Sequence, residues 1–270
     1  MGSLDGKVAI VTGAGRLRGI GRSAALALAE LGADIAVTGT GRGPEHYPAD
    51  EKAAGWRDIE STAEQVRGVG RRCLALVADV TDRTAVQQTV EATQKEFGRI
   101  DILINNSAFA RGQDRVPLTE LTEDVWRRVL EIKLTGSFLM TQAVVPTMIQ
   151  HRQGGSILNI SSIAGKKGNP NMVAYCTSNF GIQGFSQALA MELAPHNIRV
   201  NAVCPGIIDT SRMDDLGRGD TWDKTIKQLI PLKRPGSDKE IGKFLAYLCT
   251  PEASYITGQS LNIDGGMVMW

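Results

Sequence analysis

Two hydrophobic rhythms alternate along this chain, and their alternation limits its fold more than any other feature. Seven short apolar runs, KVAIVTG, DIAVTG, RCLALVAD, IDILINNS, SILNISS, IRVNAVCPG and QSLNIDGG, each end in turn-forming residues. They are continuous in polarity rather than alternating, as strands buried on both faces must be. Between them lie helical patterns. Arg22 to Leu31 is rich in Ala and Leu and stops at Gly32, while Ala85 to Phe97 sets Val86, Val90 and Phe97 on one face before Gly98 ends it. Buried strands interleaved with helices predict an α/β fold, a doubly wound parallel sheet with helices on both faces. No repeat, low-complexity tract or Pro/Ser-rich linker divides the chain, so residues 1–270 read as one domain. Two long stretches, Gly39 to Trp56 and Thr210 to Ser237, read as irregular, and loops of that length usually carry function.

Charge excludes several partners. A formal net charge of +1 gives no long-range field to recruit nucleic acid or an anionic membrane. Cys73, Cys176, Cys204 and Cys249 lie far apart, without metal-ligand or disulfide-framework spacing, and read as reduced structural thiols. No metal site is read. The N-terminal MGSLDGKVAIVTGAG has no basic stretch followed by an apolar run and cleavage site, and no apolar run is long enough to span a bilayer. A cytoplasmic protein is expected.

Chemistry begins between the first strand and the first helix. VAIVTGAGRLRGIGR places Gly13, Gly15, Gly19 and Gly21 there, with Ile20 between the last two. Glycines let backbone amides approach a pyrophosphate closely, and the helix N-terminus adds partial positive charge. The position after a buried strand makes the cluster far more specific than a lone glycine-rich turn.

At this point the chain resembles the short-chain dehydrogenase/reductase family, a Rossmann-type fold. That family's loop reads T-G-x-x-x-G-x-G; here five residues, Ala14 to Arg18, separate Gly13 from Gly19, so the loop is expected to bulge near Arg16 to Arg18. Further matches follow in order. ADVTD brings Asp79 and Val80 to the adenine position, and NNSA brings Asn106, Ser107 and Ala108 to the end of the fourth strand. Ser162 precedes Tyr175 by the family's thirteen residues, Pro205 and Gly206 with Ile208 and Thr210 match the segment over the nicotinamide, and DGG at Asp264 to Gly266 matches the C-terminal signature.

The resemblance implies a nicotinamide dinucleotide. An acidic residue closing the second strand would bond the ribose hydroxyls and repel a 2'-phosphate, but that place is held by Gly39, with Thr40 beside it and Arg42 beyond. Arg16, Arg18 and Arg42 are candidates to meet the phosphate, against the alternative of solvated loop arginines. NADP(H) is therefore favoured, with NAD(H) the alternative.

It also implies the reacting group. Tyr175 would exchange a proton with the substrate oxygen and Ser162 would hydrogen-bond that oxygen. In the family a Lys one helical turn after the Tyr assists it, because a free phenol titrates near 10. Here that place holds Asn179, on the same helix face as Tyr175. The family's fourth member, an Asn in a pattern like V-N-L-x-G, is replaced by Lys133 in VLEIKLTGSF. The departures are reciprocal. Either Lys133 supplies the missing charge from the opposite wall while Asn179 orients ribose or water, or Lys133 is a surface lysine and Asn179 marks a weakened enzyme.

Phe109, Ile163, Ile207, Met213, Leu216 and Trp222 are candidates for an apolar pocket, ordinary packing being the alternative. Arg212 and Arg218 are candidates to meet an acidic substrate, against solvated lid charges. An insertion over 43–56 would cover the cofactor or merely decorate the sheet, and 209–225 would form a substrate lid. The resemblance implies a homotetramer acting on a secondary alcohol or ketone, as a carbonyl reductase or alcohol dehydrogenase. A silent dinucleotide-binding sensor or scaffold is the competing class.

Overall fold

The computed structural model describes residues 2–217 and 219–270. Arg218, a sequence candidate for meeting an acidic substrate, lies outside the described residues. All seven apolar runs are strands of one parallel sheet. They are β1 (Val8–Val11), β2 (Asp34–Gly39), β3 (Cys73–Val77), β4 (Ile102–Asn105), β5 (Gly155–Ile160), β6 (Ile198–Pro205) and β9 (Ser260–Ile263). Their order is β3-β2-β1-β4-β5-β6-β9. The order reverses between β1 and β4, and ligands of such sheets bind in the crevice beyond the carboxyl ends of the strands at that switch point.

Why these runs are continuous is clear from the two cores. Ala9 and Val11 of β1 face one helical layer, made with α1 (Ile20–Glu30), α3 (Asp58–Gly68) and α9 (Asp238–Cys249), while Ile10 faces the other. The second layer contains α4 (Arg83–Phe97), α6 (Gly136–His151) and α7 (Val173–Leu193), through Val86, Val90, Met140, Val144 and Leu193. Every strand residue of β1 is therefore apolar because neither face meets water. All four cysteines are buried and unpaired, and burial pushes the Cys249 thiol up to about 12. Among the described residues no helix is long and apolar enough to cross a membrane.

The two stretches that read as irregular are folded. Within 43–56 a 3-10 turn (Pro44–His46) and α2 (Ala49–Ala53) bury Tyr47, Glu51 and Trp56. In the later stretch β7 (Ile208–Asp209) pairs with β8 (Gly236–Ser237), joined by a 3-10 turn (Ser211–Leu216) and α8 (Asp220–Leu229). Their strands and helices are too short to carry a periodic signal. The helical path into α6 is interrupted: α5 (Glu123–Leu130) passes into a π turn (Glu131–Thr135) before α6 begins. That turn carries Lys133, and π turns inside helices cluster at functional sites.

Candidate active site

Thr12, at the end of β1, organises the switch point. Its hydroxyl donates to the Ile104 carbonyl and accepts the amides of Asn106 and Ser107 at 3.0 and 3.2 Å. The Asn106 amide nitrogen donates in turn to the carbonyls of Thr12 and Gly13, both at 2.9 Å. Gly13 has φ of +65°, and a Cβ on Gly21 would stand 2.6 Å from Asn106 Nδ2 and 2.7 Å from the Gly13 carbonyl. Only glycine leaves this backbone cradle open, as close approach of a pyrophosphate requires. Ala14 and Gly15 are buried, while Arg16, Arg18, Gly19 and Ile20 are half-buried along the rim.

The longer loop is held by the insertion. Glu51, fully buried, accepts the Leu17 amide at 3.0 Å and Arg42 Nη1 at 3.0 Å, and lies 3.9 Å from Arg16 Nη1. Trp56 Nε1 and Arg42 Nη2 both donate to the Gly15 carbonyl, at 2.7 and 3.0 Å. Arg18 pairs with Asp50 at 2.7 Å and with Asp214, while its carbonyl accepts the Ser211 amide. The bulge expected near Arg16 to Arg18 thus bridges the insertion and the segment after β7.

One sequence inference needs correcting. No residue of β2 supplies a carboxylate at its end, yet Asp58, the first residue of α3, reaches the spot. Its carboxylate accepts the Arg42 amide and Arg42 Nη2, both at 3.0 Å, and a Cβ on Gly15 would collide with it. It achieves this with φ of +51°, a left-handed conformation that Asp tolerates better than most residues. The sequence gives little warning, because Asp58 stands nineteen residues beyond Gly39. Gly39 is half-buried beneath it and Thr40 is exposed. Across the sheet edge, Asp79 accepts Thr81 and Arg128 Nη2 at 2.7 Å; burial raises its carboxyl, but these donors outweigh it and hold the group below the ordinary range. Val80, beside it, is buried.

At the reacting end Ser162 follows β5 and caps a 3-10 turn (Ile163–Gly165) by accepting the Ala164 amide at 3.1 Å. That turn packs against α7 so tightly that a Cβ on Gly165 would lie 2.5 Å from the Asn179 carbonyl. Ser161 Oγ donates to the same carbonyl at 2.9 Å. Asn179 is fully buried, its Nδ2 donating to the Tyr175 carbonyl at 2.8 Å and its Oδ1 lacking a donor. A buried acceptor of this kind is costly unless a ligand or water fills it. The open glycine cradle is what fits a nicotinamide dinucleotide here.

Lys133 is not a surface lysine. Only 5% exposed, it donates through Nζ to the Ile160 carbonyl at 2.7 Å, two residues before Ser162. Burial drives its ammonium down from 10.5 to about 7, and the Arg212 guanidinium pushes the same way. Two arginines cover Tyr175 itself: the Arg115 guanidinium carbon stands 3.7 Å from the phenol ring centroid and that of Arg212 5.5 Å.

Comparison with known proteins decides the lineage. A family profile described as enoyl-(acyl carrier protein) reductase matches residues 13–268. A 3-oxoacyl-[acyl-carrier-protein] reductase of Synechocystis is 38% identical with both chains wholly covered, and one of Thermotoga maritima is 36% identical over 98% of this chain and 99% of its own. The chain belongs to the short-chain dehydrogenase/reductase family. Among solved structures, carveol dehydrogenase from Mycobacterium avium in complex with NAD superposes with a TM-score of 0.88 at 32% identity, 99% of each chain being covered. Acetoin dehydrogenase from Enterobacter cloacae gives 0.79 at 36% identity, with 97% of this chain and 95% of its own covered.

The protein is thus a short-chain oxidoreductase that works with a nicotinamide cofactor on a small molecule. Pro205 is buried and Gly206 presses on Asp264, whose carboxylate accepts the amides of Gly266 and Val268; Ile208 and Thr210 are buried beside them. The pocket candidates of this reductase are more open. Ile163, Ile207, Met213 and Trp222 are half-buried, Leu216 is 44% exposed, and Phe109 offers its carbonyl to Arg212 Nη1 at 2.6 Å. Ala108 is exposed. Sequence reasoning missed Asp114 and Arg115, since a loop between β4 and α5 has no period to reveal them.

Proposed function

We propose that this short-chain reductase interconverts a ketone and a secondary alcohol, with Tyr175 as acid and base, Ser162 as the hydrogen-bond donor to the substrate oxygen and Lys133 supplying the charge that Asn179 cannot. A bound reduced nicotinamide supplies the hydride. Tyr175 gives its phenolic proton to the substrate oxygen as the carbonyl becomes an alcohol, and takes it back in reverse. Ser162 steadies that oxygen, and the free Oδ1 of Asn179 accepts from ribose or from a water in the relay. The observation that carries this reading is the buried Lys133, since an ammonium is withdrawn from water only at considerable cost.

The test is reduction of a ketone panel with each cofactor, followed by loss of reduced-nicotinamide absorbance, beside a cofactor-binding titration. Turnover abolished by Tyr175→Phe supports the reading. Binding without turnover on any carbonyl selects the silent sensor or scaffold, a reading favoured by the Asn179 amide being turned onto its own helix.

The finer choice of cofactor turns on Asp58. The arginines that favoured NADP(H) in sequence each face a carboxylate: Arg42 faces Asp58 and Glu51, Arg18 faces Asp50 and Asp214, and Arg16 faces Glu51. We read the pocket as accepting NAD(H) while the Arg42–Asp58 pair is intact, and NADP(H) once Arg42 is released to a 2'-phosphate. Exposed Phe138 and Phe180 on α6 and α7 support a homotetramer packed through those helices.

A further inference from the structure

The loop between β4 and α5 and the turn after β7 place two guanidinium groups on the catalytic phenol. The Arg115 guanidinium carbon lies over the Tyr175 ring, 3.7 Å from its centroid, and that of Arg212 stands at 5.5 Å. Both are held in place. The Arg115 amide donates to the Gly112 carbonyl at 2.8 Å, Arg212 Nη1 is fixed on the Phe109 carbonyl, and an Arg111–Asp215 ion pair ties the two segments together.

Their donors are not used up. Arg115 Nε and Nη1 and Arg212 Nη2 are buried without a hydrogen-bond acceptor. Arg115 Nη1 comes within 3.2 Å of Asp114 Oδ2, an ionic contact whose alignment makes no hydrogen bond. Asp114 is itself buried, and its other oxygen accepts the Gly112 amide. Lys133 adds a third cation close enough to feel Arg212. Among the described residues only Arg115 meets the Asp114 carboxylate, so positive charge is in excess beside the reacting group. Buried guanidinium donors need acceptors, and a carboxylate satisfies their fork while neutralising the excess charge.

We propose that Arg115 and Arg212 bind a carboxylate on the substrate, so that this reductase acts on a short oxo acid, or the corresponding hydroxy acid, whose carbonyl lies one or two carbons from the acid group. This rests on the ketoreductase reading of Tyr175 and narrows it. The secondary alcohol or ketone implied by the family resemblance is narrowed to an anionic one, whose apolar remainder Phe109, Ile207 and Met213 would line. A guanidinium 3.7 Å from the phenol ring centroid stands close to the carbonyl that Tyr175 protonates, which sets the short spacing.

The experiment compares short 2-oxo and 3-oxo acids with their methyl esters, each pair read as a ratio of kcat/KM. At least one acid is expected to exceed its ester by roughly ten- to a hundredfold, the worth of a charge-assisted pair of hydrogen bonds. Arg212→Gln should collapse that ratio towards one and Arg212→Lys should restore part of it, with circular dichroism checking that both variants fold. Esters reduced as well as every acid would overturn the inference while leaving the ketoreductase reading intact. So would an unchanged ratio in Arg212→Gln accompanied by a shifted pH profile, which would give the arginines to the phenol instead. If nothing is reduced, the reading of Tyr175 fails separately. Titration of the hydroxy acids by protein fluorescence then decides the inference, binding lost in Arg212→Gln supporting it and no binding to the wild-type protein ending it.

Discussion

Lys133 Nζ donates to the Ile160 carbonyl oxygen at 2.7 Å, from a π turn in one helix to the last residue of the strand that delivers Ser162. This bond buries an ammonium against the end of β5. In the family pattern an Asn stands there, and the charge comes from the helix that carries the Tyr. Here Lys133 stands at the Asn place and Asn179 at the Lys place, and Asn179 Oδ1 is buried without a donor.

A stability measurement tests the burial directly. The native Lys133 ammonium titrates near 7 and the unfolded one near 10.5, so between these values the unfolded chain binds more protons. Stability contributed by this group therefore rises with pH across that window, by up to about 1.4 kcal/mol per unit, and is lowest below pH 7, where the buried cation is fully charged. Urea unfolding of wild type and Lys133→Met should show wild type gaining on the variant as pH rises from neutral towards 9. A difference that does not move with pH would mean the ammonium is solvated.

Turnover separates compensation from decay. Lys133→Ala is expected to lower kcat by about a hundredfold or more, the scale of a lost proton-relay member. The double variant Lys133→Asn with Asn179→Lys, which restores the family arrangement, should recover much of it. Unchanged kcat in Lys133→Ala would remove the lysine from the mechanism.

The proposed cofactor choice is tested at a single charge. Asp58→Asn keeps the shape of the Arg42 contact and removes the anion, so the ratio of kcat/KM for NADP(H) over NAD(H) should rise at least about tenfold, from the Coulomb energy of a partly buried pair. An unaltered ratio would show that Asp58 serves only to hold Arg42 and the glycine loop together.

Gly21→Ala tests the cradle. Its methyl group would be forced against Asn106 Nδ2 at 2.6 Å and the Gly13 carbonyl at 2.7 Å. Overpacking of this kind costs about 1–3 kcal/mol. Weaker binding of either dinucleotide by calorimetry, with a lower melting temperature, is the expected outcome; normal affinity would place the pyrophosphate elsewhere.

Much of this was legible beforehand for a physical reason. Strands buried on both faces must be continuously apolar, so β1, with Ile10 facing one core and Val11 the other, announced a parallel sheet. The thirteen-residue interval from Ser162 to Tyr175 is equally local, one strand end and one helix start apart. Short elements told less: α2 has five residues and β7 two, lengths at which no periodicity survives.

Sequence by itself determined the doubly wound sheet, the glycine loop, the Ser162 and Tyr175 positions and the reciprocal placement of Lys133 and Asn179, because each depends on residues close together in the chain or on hydrophobic period. Tertiary structure alone decided that Lys133 is buried, that Asp58 completes the end of β2, and that Arg115 and Arg212 cover the phenol. Those facts depend on burial and on contacts across long loops, where charge, desolvation and geometry act between residues that no spacing rule connects.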